Sequence, residues 1–114
     1  MKEYLLEACV DSVESAEIAT KAGAKRLELC GNLVIGGTTP TLAVFEEVRK
    51  RVDNCIHVLI RPRFGDFCYS EAEFAVIKKE IVQFRNAGAD GVVIGMLKPD
   101  GSLDRERMQE CMEL

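Results

Sequence analysis

Arg61 and Arg63 stand one proline apart at the end of an apolar run, in the stretch HVLIRPRFGDFCYS that occupies residues 57–70. A guanidinium is a permanently charged fork that grips a carboxylate or phosphate through two parallel hydrogen bonds. Pro62 fixes its own φ and biases Arg61 toward extended backbone, so both arginines are expected to point the same way as His57 and Leu59. Two such groups on one side of one strand invite an anionic ligand. The competing reading is a salt bridge to Asp66 that braces the turn.

Cys9 and Cys30 are the second candidate pair. Strand parity places both on one face near the carboxyl ends of the first two strands, where their sulfurs approach each other if those strands pair. Two soft thiolates favour Cu(I) over hard cations. Buried cysteines also act simply as small hydrophobes, so packing explains the same residues. Glu7, Arg26 and Glu28 share that face and read either as acid, base and ligand groups or as an ion-pair network filling an interior. His57, the single histidine, is placed at the start of its strand, as a packed core residue or a catalytic one. The loop GNLVIGGTTP, residues 31–40, offers Gly36 and Gly37 for close backbone approach to an anion, or makes a tight turn with a threonine cap. Cys55, Cys68 and Cys111 suggest no role.

Positioning these side chains requires alternating strands and helices. Tyr4–Val10 reads as a first strand, with Asp11 and Ser12 as caps for a helix over Glu14–Ala22. Lys25–Cys30 alternates as a second strand, and Leu42–Val52 forms a second helix with Leu42, Val44, Phe45 and Val48 inward. The His57 strand leads to a helix over Glu71–Ala87, which carries Phe74, Ile77, Ile81 and Phe84 at helical spacing. Gly91–Ile94 is a fourth strand, and Asp104 caps a final helix. AGAKRLEL and AGADGVVI, beginning at Ala22 and Ala87, repeat one junction: helix end, glycine cap, strand. Such βα repeats predict a parallel sheet with right-handed crossovers, and the lack of a GxGxxG turn after the first strand favours a barrel over a dinucleotide fold.

Composition sets outer bounds. The chain has 114 residues, 47% hydrophobic and 30% charged, with a formal net charge of −4. That balance fits one ordinary domain and lacks the basic footprint that nucleic acid or an anionic membrane requires. No apolar run reaches the ~18 residues of a membrane helix. Five cysteines without CxxC spacing read as free thiols, and a cytoplasmic location is expected.

The segments LEACVDSVESA, AGAKRLELCGNLVIGGTTP, HVLIRPRFGDFCYSEAE and AGADGVVIGMLKPDGSLD resemble, in order and spacing, the N-terminal portion of the CutC family of copper homeostasis proteins. The resemblance implies a TIM-barrel-like α/β fold, a cytosolic setting, and a role in copper handling with Cu(I) held by cysteines, here Cys9 and Cys30. Glu7, Arg26, Glu28, Asn32, Arg61 and Arg63 match the family's recurring polar residues at the barrel mouth. An enzyme acting on a small anionic metabolite at that mouth is the alternative, and no nucleotide cofactor is expected. Family members are longer, and a full barrel needs about 200 residues or more. Residues 1–114 are therefore expected to form about half a barrel, four βα units truncated at the C-terminus, that associates as a homo-oligomer, a dimer being the simplest form.

Overall fold

The computed structural model describes residues 3–114. Four strands, β1 (Glu7–Val10), β2 (Arg26–Leu29), β3 (Cys55–Leu59) and β4 (Gly91–Val93), alternate with helices α1 (Val13–Lys21), α2 (Leu42–Arg51), α3 (Glu71–Ala87) and α4 (Arg105–Met112). The strands form one parallel sheet in the order β1-β2-β3-β4. This is the expected half of a TIM-barrel-like fold, with β1 and β4 as its edges among the described residues. No helix among the described residues is long and apolar enough to cross a membrane.

Each helix begins where a short polar side chain can take over a backbone N–H that has no intrahelical partner. Ser12, Thr41, Ser70 and Asp104 accept from the third residue beyond them, Ser15, Val44, Glu73 and Arg107 respectively. Ser70 and Glu73 reciprocate in a capping box, and Gly88 closes α3 in the left-handed region at φ +102°. Those signals explain why α3 starts and stops where the sequence predicts.

The core lies between the sheet and the helices. Leu27, Leu29, Ile56, Val58 and Ile60 are buried against Phe45 and Val48 of α2 and against Phe74, Ile77, Ile81 and Phe84 of α3. Phe45 meets Phe84 edge to face at 5.6 Å between centroids, a geometry favoured by the ring quadrupoles. Burial of each such side chain contributes about 1.5–3 kcal/mol.

The opposite sheet face carries two rows of chemistry-bearing residues. Glu7, Arg26 and Cys55 occupy one row; Cys9, Glu28, His57 and Gly91 occupy the next, toward the carboxyl ends. Strand bounds differ in places from the expectation. β1 begins at Glu7 instead of Tyr4, because Tyr4, Leu5 and Leu6 are exposed and bury no face. β3 begins at Cys55, which puts Cys55 inside the strand and His57 at its centre. Leu42 lies on the exposed side of the first turn of α2, so Val44, Phe45 and Val48 alone face inward.

Candidate functional site at the carboxyl ends of the strands

The axis-facing rows come first. Glu7 and Arg26 are register partners on β1 and β2 and form an ion pair through Oε2 and Nε. That pair sits at the amino end of the sheet and neutralises itself. Glu28, one row higher, has no cation partner among the described residues. The Cys30 thiol instead points toward Glu28, 3.7 Å from both its backbone oxygen and its Oε1.

Cys9 stands opposite Glu28, and Cys30 follows β2 directly. Both thiols are free. Burial, then the Glu28 carboxylate, then the nearby Cys9 push the Cys30 thiol up to about 12. Cys9 is exposed as a residue, yet partial burial of its sulfur, followed by Glu28 and Glu7, also raises its thiol above the ordinary value. Low dielectric and neighbouring negative charge both oppose a thiolate. The two cysteines are thus stored as protonated thiols. Among the described residues no group of three or more His, Cys, Asp or Glu is arranged to hold a metal ion. The donors at this end of the sheet are the two sulfurs with Glu28 beside them, a set that fits a soft ion content with two ligands and not a hard, many-coordinate one.

His57 leans toward β4. A Cβ built on Gly91 would lie 2.9 Å from both Cδ2 and Nε2 of His57. The imidazole therefore occupies the space that a side chain at position 91 would take, at mid-strand and not at the bottom of the barrel. It is half-buried and lies outside the buried core.

Arg61 and Arg63 do not point to one side. β3 ends at Leu59 and the backbone bends from Pro62 to Gly65, so strand alternation no longer governs position 63. Arg63 turns to α3, donating through Nε to Glu73 Oε2 at 2.6 Å and through Nη2 to Asp66 Oδ1 at 3.1 Å. It also donates to the carbonyls of Asp66 and Cys68 and stacks 4.9 Å over the Tyr69 ring. Two carboxylates neutralise it, so Arg63 braces the turn. Glu73 is held below the ordinary carboxylate range, first by the Ser70 N–H and then by Arg63. Asp66 is lowered first by the Cys68 N–H and then by Arg63.

Arg61 remains at the mouth. Its Nη1 donates to the Gly37 carbonyl and its Nη2 to the Gly65 carbonyl, each at 2.8 Å. Its guanidinium lies 5.0 Å from the centre of the Phe67 ring. Its backbone N–H donates to Thr39 Oγ1, and its carbonyl accepts from the Thr39 N–H. Arg61 therefore ties the loop after β2 to the loop after β3. Gly36, at φ +93°, gives it room, since a Cβ there would stand 3.2 Å from Nη1.

The loop of residues 31–40 is a closed turn and not an anion cradle. The N–H groups of Gly36, Gly37, Thr38 and Thr39 all donate within the protein, to Leu33, Asn32, Gly31 and Arg61 respectively. Asn32 takes a left-handed conformation at φ +51° and donates from Nδ2 to Thr38 Oγ1 at 2.9 Å. Its side chain holds the turn. Asp11, read from the sequence only as a helix cap, accepts from the Leu33 N–H at 3.1 Å and anchors this loop to the end of β1. Tyr69 also escaped notice in the sequence. It is buried with its hydroxyl unpartnered, as is Arg61 Nε. Burial, against the opposing charges of Arg61 and Arg63, keeps its phenol protonated beyond the usual range.

Comparison with known proteins agrees with this architecture. The model of the CutC family matches residues 4–114. The chain is 49% identical over 111 residues to the human copper homeostasis protein cutC homolog, covering 97% of this chain and 40% of that protein. It is 47% identical over 109 residues to a family protein CutC of Yersinia enterocolitica, covering 96% of this chain and 43% of the relative. The crystal structure of CutC from Streptococcus agalactiae superposes with a TM-score of 0.86 at 29% identity, over 96% of this chain and 54% of the other. The chain thus spans about half the length of the relatives it matches. With the family match running from the first strand through the last helix, and the parallel βα fold shared with a solved member, this chain belongs to the CutC family.

Proposed function

We propose that the chain serves copper homeostasis, with Cys9 and Cys30 together taking Cu(I) as cargo at the carboxyl end of β1 and β2. The human relative carries copper homeostasis in its name. The observation that carries the cysteine assignment is the strand register: Cys9 faces Glu28, and Cys30 follows two residues later on the same face. The Glu28 carboxylate lies beside the pair, with Cys30 Sγ at 3.7 Å from its Oε1. A metal that displaces the thiol protons converts two neutral sulfurs into strong soft ligands. Five free thiols suit a reducing compartment, so we place the protein in the cytoplasm.

The test is a Cu(I) titration of the full chain against a chromophoric Cu(I) chelator under reducing conditions. The Cys9→Ser/Cys30→Ser variant is expected to lose at least about tenfold in affinity, which corresponds to ~1.4 kcal/mol. Cys68→Ser, in the loop after β3, is expected to bind as the parent does. Parental affinity in the double variant would reject the assignment.

A further inference from the structure

We propose that Arg61 is the anion-binding group of a small-molecule site whose ligand carries one carboxylate or phosphate on an apolar or aromatic body. Arg61 forms no ion pair among the described residues, whereas the other half-buried arginines, Arg26, Arg49, Arg63 and Arg107, each have a side-chain carboxylate partner; Arg85 and Arg105, which also lack one, are exposed. Its two terminal nitrogens are held by neutral carbonyls of Gly37 and Gly65. A half-buried charge held so firmly without a counterion is costly, and an anionic ligand removes that cost.

The surroundings state what else the ligand must be. Ile35, 48% exposed, and Val34, 94% exposed, precede Gly36, whose backbone abuts the guanidinium. Phe64, 66% exposed, and Phe67, 40% exposed, flank Gly65 on the other loop. Four large apolar side chains therefore stand open on the two loops that Arg61 joins. Exposed apolar groups on loops that share one polar anchor mark a binding surface. The Phe67 ring already stacks on the guanidinium at 5.0 Å, which leaves an apolar surface beside the charge.

Charge restricts the occupant further. Asp66 is exposed and lies in the same turn, and the chain as a whole carries −4. A polyanion such as nucleic acid or an anionic bilayer meets one open cation there among negative neighbours, which is too little. A single anionic head fits. The proposal uses neither Cys9 nor Cys30, although Gly37 borders Cys30, and it stands whether or not Cu(I) binds.

The experiment titrates the full chain with phenyl phosphate, inorganic phosphate and phenol, followed by calorimetry. Phenyl phosphate is expected to saturate at one site at least about tenfold more tightly than inorganic phosphate, with phenol weaker than either. Phe67→Ala is expected to erase most of the advantage of phenyl phosphate, and Arg61→Gln to abolish saturable binding. Because Arg61 also links two loops, thermal unfolding of Arg61→Gln is recorded alongside, and Phe67→Ala decides the matter if that variant is unfolded. Equal affinity for phenyl phosphate and inorganic phosphate, unchanged binding in Phe67→Ala, or no saturable binding by the parent would each overturn the proposal.

Discussion

The two arginines of the IRPR run differ in what surrounds their charge, and that difference separates a brace from a binding group. Arg63 is enclosed by Glu73 and Asp66, both held below the ordinary carboxylate range. A carboxylate whose folded-state value is depressed stabilises the fold fully above its unfolded value, and that contribution disappears as pH falls through the folded value. For Glu73 the loss belongs below about pH 4.3, the ordinary glutamate value. The melting temperature of Glu73→Gln is therefore expected to be lower at neutral pH and to fall less steeply between about pH 5 and 3. A slope as steep as the parent's would assign the acid sensitivity to other carboxylates. A second residue-scale test concerns His57 and Gly91. Gly91→Ala forces the imidazole aside and should cost about 1–3 kcal/mol in urea unfolding, as overpacked sites do. His57→Ala should remove that cost, so the double variant is non-additive; simple additivity would show that the alanine methyl meets something else.

At the scale of elements, the caps carry testable weight. Ser70→Ala breaks the box that starts α3 and is expected to cost about 1 kcal/mol by chemical denaturation. No measurable change would mean that Glu73 and Arg63 hold the helix start without it. The same box made α3 legible in the sequence: a serine, a glutamate three residues on, four apolar residues at helical spacing and a closing glycine define Glu71–Ala87 without ambiguity. Where one signal stood alone, reading failed. Tyr4, Leu5 and Leu6 look like the start of a strand because they are apolar, but the fold gives them no face to bury. Arg63 looks like a strand residue by count, yet β3 stops four residues earlier, at Leu59. That Cys9, Glu28 and Cys30 share one sheet face was legible from parity, whereas the register that sets Cys9 opposite Glu28 was not. The enclosure of Arg63 by Glu73 was not, since it depends on how a helix ten residues downstream returns over the turn.

At the scale of the molecule, the sheet has a packed helical side and an open axis side, with β1 and β4 unpaired along their outer edges among the described residues. Exposed strand edges offer their N–H and C=O groups to any matching strand. The particle mass by light scattering is therefore expected to exceed the 12.7 kDa of one chain and to rise with concentration; a mass fixed at one chain over the whole range would refute association. The strand order has a further consequence. Because β1-β2-β3-β4 follows the order of the sequence, every strand docks on the one made immediately before it. Each pairing closes a single helix-bearing crossover and reaches no further along the chain than the preceding strand. Growth of the sheet needs no later segment to begin, so this part of the fold can be laid down strand by strand while the chain is still leaving the ribosome.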